Sequence, residues 1–445
     1  MNTLLNQVNT RNNEVVDLFS GCGGLGLGFL RAGFPIATGI EIDNSAQLTA
    51  SYNLHWKHGK ESEHLNLDLT KSDSGILKKL IKESPIVIGG PPCQAYSMAG
   101  RAKLRSLGEA RVATMDKRGY LYQDFLRYVL ELDANAIVME NVPESTNFDN
   151  KNIPEIVCEQ LDNAGFTVYW TLLNAADYGV PQTRERIFVI GVKKEITNEL
   201  ALPIPTHRHR DSFVRKQRNF KNTRFYRPAI EPSGDLPYWV TVEEALSDLP
   251  VLFPNPKSSY KLNKLNMALP YKMEPQNTFQ RRMRENIITK HLVTGHAYRK
   301  TLRDFPIFDK MQPGDNYIKA HEVAMKIFEC ECERRKITKD SDRYEELKKK
   351  MVPPYSVEKF IAKWQKLDLH RPSHTLVAHL SVDTYSHIHP WEPRGISVRE
   401  AARLQSFPDD FLFNCTMGEA FKQIGNAVPP LLSQAIAETI KPYFN

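Results

Sequence analysis

Short apolar runs alternate with amphipathic stretches through residues 14–192. The runs Val15–Phe19, Ile36–Ile42, Ile86–Gly89, Ala136–Glu140, Phe166–Leu173 and Ile187–Val192 have the length of buried strands. Between them, Tyr120–Leu132 and Ile153–Ala164 carry the spacing of helices. This alternation predicts the α/β class: a mostly parallel sheet flanked by helices. The texture changes near Lys193, where prolines, basic residues and irregular segments take over until about Leu369. Within that region Cys330–Lys350 is strongly charged and predicts a solvent-facing helix or helix pair. Order returns at the end. Ser397-Val398-Arg399-Glu400 fits a capping box, its helix stopped by Pro408. Gln423–Pro430 predicts a glycine-asparagine turn before a last helix.

Composition narrows the class. The chain has 445 residues, 41% hydrophobic and 25% charged, ample for more than one domain. No apolar run approaches the ~18–20 residues that span a bilayer, and Met1–Asn13 lacks a signal-peptide core. A cytoplasmic protein is expected. The six cysteines, at 22, 93, 158, 330, 332 and 415, form no C-x-x-C pair, so no zinc ribbon or redox motif is indicated. Net charge is +7, and Arg208–Arg227 holds eight Lys/Arg against the single acid Asp211. Phe213, Phe220, Phe225 and Tyr226 are interleaved there. Such a segment can neutralise phosphates while its aromatics pack or stack; a solvated surface loop is the plainer alternative.

Two loops carry candidate chemistry. Asp17-Leu18-Phe19-Ser20-Gly21-Cys22-Gly23-Gly24-Leu25-Gly26 follows the first strand, opens a helix and fits G-x-G-x-x-G through Gly21, Gly23 and Gly26. Glu41 ends the second strand, where a carboxylate can accept from ribose hydroxyls. Asp68 could read an adenine amine or simply hold a turn. A dinucleotide and an adenosyl cofactor both fit this pattern; Asp17 favours the second, since an acid there can hold a cationic amino-acid end.

The second loop, Gly89-Gly90-Pro91-Pro92-Cys93, places a thiol on a stiff turn at a strand end. Glu140-Asn141-Val142 ends another strand, and Gln182-Thr183-Arg184-Glu185-Arg186 leads into a third. In a parallel sheet the three are expected near one edge. A cysteine, a carboxyl and an arginine suit attack on an electron-poor ring. Carbon 5 of cytosine becomes nucleophilic once a thiolate adds at carbon 6, with a proton or hydrogen bond supplied at ring nitrogen 3. The base must first leave the helix.

At this point the chain resembles the DNA (cytosine-5)-methyltransferase family. Asp17–Leu25 resembles the cofactor loop and Pro91-Pro92-Cys93-Gln94 the catalytic loop. Glu140-Asn141-Val142 is similar to the family's Glu-Asn-Val, and Gln182-x-Arg184-x-Arg186 to its Gln-x-Arg-x-Arg. Arg399–Pro408 and Gly425-Asn426-Ala427-Val428 resemble the last two motifs. The resemblance implies a Rossmann-like S-adenosylmethionine-dependent sheet with a smaller, irregular target-recognition domain. Residues 1–192 plus 415–445 would form a discontinuous catalytic domain, and 193–414 the recognition domain and hinge. It implies Cys93 as nucleophile, Glu140 as the acid at nitrogen 3, Arg186 on the base carbonyl and Arg184 in support. The cofactor would lie on Asp17, Phe19, Ser20, Gly21, Gly23, Gly24, Leu25, Glu41, Ile42, Asp68, Leu69, Pro91, Leu121, Asn426 and Ala427. Ile42 departs from relatives that carry an aromatic there. Pro92, Gln94, Ser97, Arg208, Arg210, Arg215, Arg218 and Arg224 would face the DNA.

The implied partner is double-stranded DNA, with a restriction endonuclease as a functional companion, no metal, no membrane, and a monomer associated with the nucleoid of a prokaryote. Three alternatives share parts of the pattern. A tRNA cytosine-5 methyltransferase has the same motifs but a shorter intermediate region. A silent DNA-binding relative would not need Cys93, Glu140 and both arginines. A nicotinamide dehydrogenase leaves Cys93 and Gln182–Arg186 unexplained. A zinc deaminase fails because Tyr96 stands where its second cysteine would be, and none of the thirteen histidines begins H-x-E.

Overall fold

The computed structural model describes residues 13–92, 120–210, 218, 220, 223–252, 265–287, 291–358 and 361–444. They fall into two compact units. One comprises residues up to Val180, Arg184–Trp239 and Ala427 onward; the other comprises Pro181–Thr183 and Val240–Asn426.

The first unit is built on a seven-stranded sheet. Its strands are β1 (Val15–Leu18), β2 (Ile36–Glu41), β3 (His64–Asn66), β4 (Ile86–Gly89), β5 (Ala136–Asn141), β6 (Phe166–Asn174) and β7 (Glu185–Lys193), in the order β3-β2-β1-β4-β5-β7-β6. The six expected strands form within one or two residues of their predicted ends. β3 escapes the sequence pattern because it is only three residues long, with one buried side chain, His64. Strands β1 to β5 pair in parallel, whereas β7 runs antiparallel to both β5 and β6.

That reversal corrects the expectation of a parallel run through all three motif strands. Arg186 lies at the beginning of β7, and the beginning of a parallel strand would fall on the far edge. Because β7 is antiparallel, Ile187 pairs with Asn141 and Phe188 with Glu140. The start of β7 therefore meets the carboxyl ends of β4 and β5, where open α/β sheets bind ligands.

Helix α1 (Gly24–Arg31) and the final helix Pro430–Ile440 pack closely. Gly28 permits this, since a β-carbon there would stand 2.3 Å from Ser433. The Ser433 hydroxyl donates to the Leu25 carbonyl. The opposite sheet face buries Val16, Leu18, Val87, Ile137, Met139 and Val189 with Phe125, Val129, Val157 and Leu161 of the helices Leu121–Glu131 and Ile153–Asn163.

Of the segment that follows the expected boundary at 192, the described residues 193–210 and 223–239 fall in the unit that holds the sheet. Phe220, Phe225 and Tyr226 lie against the same core. Trp170 meets Phe220 at 5.0 Å and Tyr226 at 4.6 Å between ring centroids, and its N–H donates to the Phe225 carbonyl at 3.0 Å. These aromatics of the basic segment anchor it. At the other end, residues 415–426 belong to the second unit, and only Ala427 onward returns to the sheet.

The second unit carries the expected helix pair, Tyr317–Arg335 and Asp342–Met351. Its inner side buries Tyr317, Ala324, Phe328 and Leu347 with Trp364, so the pair is solvent-facing on one side only. The capping box forms: Glu400 N–H donates to the Ser397 hydroxyl, and Ser397 N–H to the Glu400 carboxylate. The predicted Gly425–Asn426 turn is instead the end of helix Met417–Asn426. Gly425 is there for close approach, because a β-carbon would stand 2.3 Å from the Val377 backbone. Among the described residues no helix is long and apolar enough to cross a membrane.

Candidate active site at the carboxyl edge of the sheet

The cofactor loop folds as its glycines require. Phe19, Gly21 and Gly23 have φ of 55°, 54° and 85°. The left-handed conformation is natural for the glycines and strained for Phe19, a pattern that clusters at functional sites. Gly23 caps α1, and a side chain there would strike Leu54 at 2.8 Å. Ser20 N–H donates to the Ile40 carbonyl at 3.1 Å, and Gly23 N–H to the Ser20 carbonyl at 2.9 Å. The Glu41 carboxylate closes the turn by accepting from Gly21 N–H and Asp43 N–H, both at 2.8 Å. Burial lifts its carboxyl above the ordinary range, against these two donors.

Asp17 is wholly buried on β1 beside Gly26 in the first turn of α1. Burial raises its carboxyl well above the aspartate range, only partly offset by the Gly26 N–H. Neither oxygen completes a hydrogen bond of ordinary geometry among the described groups. The carboxylate expected to hold the amino-acid end of a cofactor thus lies closed off from solvent beside the turn that opens α1. Gly24 and Leu25 are buried in that turn.

Ile42 is 66% exposed, an unusual position for an isoleucine, next to the Glu41 carboxylate. Asp68 is partly exposed and held in a turn: its carboxylate accepts from Thr70 N–H and hydroxyl and pairs with Lys71 at 3.2 Å. The Thr70 hydroxyl in particular holds it below the usual range. Leu69 is buried, and Leu121 opens the helix Leu121–Glu131. Asn426 ends its helix in the second unit, and Ala427 begins the segment of the first. A glycine cradle, a strained aromatic, a carboxylate and an exposed aliphatic side chain at neighbouring strand ends suit a nucleoside-bearing cofactor.

At the adjoining strand ends, the Glu140 carboxylate pairs with Arg186 Nε at 3.0 Å, each side chain 13% exposed. Burial raises the Glu140 carboxyl, and the charges of Arg186 and Arg184 only partly offset this. Arg186 also donates to the Glu185 carbonyl at 2.6 Å. Arg184 is 2% exposed, its backbone fixed by Asn174 and Ala175. Gln182 belongs to the second unit, where its amide binds Leu404, Gln405 and Leu376. Gly90 passes so close that a β-carbon would stand 3.1 Å from a Glu140 oxygen. The sequence marks Gly90 only as a turn residue; the structure sets its backbone close against the Glu140 carboxylate. Pro91 is buried and Pro92 half-buried on that path. Cys93, Gln94 and Ser97 lie outside the described residues, as does Arg215.

Two of the arginines expected to meet DNA already have acidic partners. Arg218 pairs with Glu185 at 3.2 Å and Arg224 with Asp162 at 2.9 Å. Arg208 and Arg210 lie together beside Tyr238.

Comparison with known proteins agrees with this edge. The C-5 cytosine-specific DNA methylase family model matches residues 13–442. M.OihORF3336P of Oceanobacillus iheyensis, named among type II methyltransferases, is 56% identical over 439 residues, spanning 96% of this chain and 95% of its own. The type II methyltransferases M.DdeI of Desulfomicrobium norvegicum and M.AgeI of Thalassovita gelatinovora are each 30% identical. M.DdeI covers 97% of this chain and 89% of its own, and M.AgeI 96% and 99%. The crystal structure of a prophage-encoded DNA modification methyltransferase from E. coli shares the fold, with a TM-score of 0.64 and 23% identity over 97% of this chain and 99% of that one. With Glu140, Arg186 and the glycine turn at one sheet edge and a family match along nearly the whole chain, this protein belongs to the C-5 cytosine-specific DNA methylases.

Proposed function

We propose that this protein transfers a methyl group from S-adenosylmethionine to carbon 5 of a cytosine in a specific duplex DNA sequence, through a covalent Cys93 adduct on a flipped base. The observation that carries the reading is the Glu140–Arg186 pair beside Gly90, at the strand end that leads into Cys93. A carboxyl raised by burial holds its proton more tightly than an ordinary glutamate and can offer it to ring nitrogen 3. Arg186 orients that carboxyl and offers its remaining donors to the base carbonyl. Arg184 adds positive charge that stabilises the carboxylate once the proton has moved. The Cys93 thiolate adds at carbon 6, and the Pro92 carbonyl accepts from the base amine.

S-adenosylmethionine, when bound, supplies the electrophilic methyl group. Phe19, the Gly21–Leu25 turn, Glu41, Ile42, Asp68, Leu69, Pro91, Leu121, Asn426 and Ala427 would hold it, with Ser20 fixing the loop and Asp17 supporting it from beneath. The reading includes a functional pairing with a restriction endonuclease, which the type II names of the relatives support, and action on DNA in the cytoplasm.

The test is methyl transfer from labelled S-adenosylmethionine to mixed-sequence duplex DNA and, separately, to tRNA. Label on cytosine in DNA, lost in Cys93→Ser, is expected. Label on tRNA but not on DNA would overturn the substrate.

A further inference from the structure

Two short segments of the first unit, 206–210 and 236–239, are stitched side by side. Arg208 N–H donates to the Pro237 carbonyl at 2.9 Å, Trp239 N–H to the Arg208 carbonyl at 2.8 Å, and Arg208 Nε to the Leu236 carbonyl at 3.1 Å. The pair is anchored on Asp177. Its carbonyl accepts from Thr206 and His207 N–H at 2.8 and 2.9 Å, and its carboxylate from the Trp239 indole at 3.0 Å. Asp177 sits in the turn Ala175–Tyr178 that directly follows β6. The last residue of β6, Asn174, pairs with Glu185, the neighbour of Arg186. The platform is therefore rooted at the catalytic edge of the sheet.

On this support Tyr238 is 43% exposed. The guanidinium of Arg208 lies 4.3 Å from its ring centroid and that of Arg210 4.9 Å, and Arg208 Nη2 donates to the Tyr238 hydroxyl at 3.2 Å. Arg210 is exposed, and among the described residues no carboxylate or carbonyl accepts from its guanidinium. Gathering two like charges at one ring is unfavourable unless something anionic arrives. The ring offers a cation–π attraction that restricts Arg210 before a partner binds. A restricted guanidinium loses less freedom on binding and matches two phosphate oxygens at once. Arg218 and Arg224, by contrast, already face carboxylates.

We propose that Arg210, held against Tyr238 and backed by Arg208, contacts a backbone phosphate of the DNA duplex beside the target cytosine. This rests on the DNA-methylating function above and adds Tyr238, which no pattern along the chain singles out. A phosphate contact fixes position and carries no sequence information.

The experiment measures DNA affinity against salt for wild type, Arg210→Ala, Tyr238→Ala and Tyr238→Phe, using a duplex with the methylated sequence and a scrambled one. Arg210→Ala should lower the slope of log affinity on log salt by about 1. At 0.1 M salt that corresponds to about eightfold weaker binding, equal on both duplexes. KM should rise with kcat unchanged. Tyr238→Ala should follow Arg210→Ala in direction, and Tyr238→Phe, which keeps the ring, should stay near wild type. An unchanged slope in Arg210→Ala overturns the clamp, and so does a loss confined to the methylated sequence, which would make Arg210 a base reader. Failure of the wild type to methylate any duplex would instead refute the function. The salt slope, which needs no turnover, would still decide the clamp.

Discussion

In the second unit, Glu392, Glu400 and Asp409 are buried against guanidinium groups, whereas in the first unit Asp17 and Glu140 are buried with too little compensation. Arg394 bridges Glu392 at 3.0 Å and Glu400 at 2.7 Å. Arg403 bridges Asp248 at 3.0 Å and Asp409, which also accepts from the Tyr271 hydroxyl at 2.6 Å. Burial pushes these carboxyls up, yet the arginines outweigh it and hold Glu392, Glu400 and Asp409 below their ordinary values. Asp17 and Glu140 go the other way, raised by burial that their neighbours do not cancel. Compensated burial builds a scaffold; uncompensated burial at a strand end beside a candidate site, as at Glu140, favours a proton held for chemistry. His389 lies with Glu392 and Glu400, a set with the composition of a metal site, but Arg394 already neutralises both carboxylates.

The largest expected effect separates the two kinds of carboxylate by activity. Glu140→Ala should slow methyl transfer by about 10²–10⁴-fold, the usual worth of a general acid, while costing less stability than the loss of a second-unit arginine, because the burial of this carboxyl is itself unfavourable. Single-turnover transfer and denaturant unfolding read the two quantities. A large stability loss with transfer preserved would place Glu140 with the scaffold.

Arg403→Ala should do the reverse. It removes the guanidinium shared by two buried carboxylates, leaving Asp248 with Arg284 and Asp409 with Tyr271, and should cost about 3 kcal/mol. A change under about 1 kcal/mol would show that Asp248 and Asp409 are not held as described.

Dependence on pH sharpens the contrast. Carboxyls lowered in the fold, such as Glu400 and Asp409, contribute stability that is present above their unfolded values and lost as pH falls through the folded ones. For Glu140 the sign is opposite. Its raised carboxyl keeps its proton above the unfolded value, so the acid step should weaken as pH rises through the raised value. A pH–rate profile whose alkaline limb disappears in Glu140→Gln is expected; an unchanged limb would assign it to another group.

The smallest effect concerns Asp17. Asp17→Asn removes a buried ionisable group but keeps an oxygen for Gly26 N–H, so stability without cofactor should hold or rise by up to about 1 kcal/mol. A clear loss would show that the charge itself supports α1.

The sheet was legible because its strands are continuous apolar runs bounded by glycine and proline, and because each motif falls at a strand end. Four things were not legible, each for a physical reason. The reversal of β7 depends on pairing, and an apolar run reads the same in either direction. Gly425 looks like a turn residue, but its lack of a side chain serves contact with Val377 inside a helix. The aromatics of the basic segment looked available for stacking on bases, whereas Phe220 and Tyr226 are spent on Trp170. Tyr238 was hidden in a proline-rich stretch without periodicity, and only its neighbours in space, Arg208 and Arg210, show a use for it.

The most direct test is bisulfite sequencing of DNA from a host expressing the wild-type chain and, in parallel, Glu140→Ala. The account predicts 5-methylcytosine at one recurring short sequence with the wild type and almost none with the variant. Equal methylation in both would contradict the role given to the uncompensated carboxyl, and no modified cytosine with the wild type would contradict the function itself.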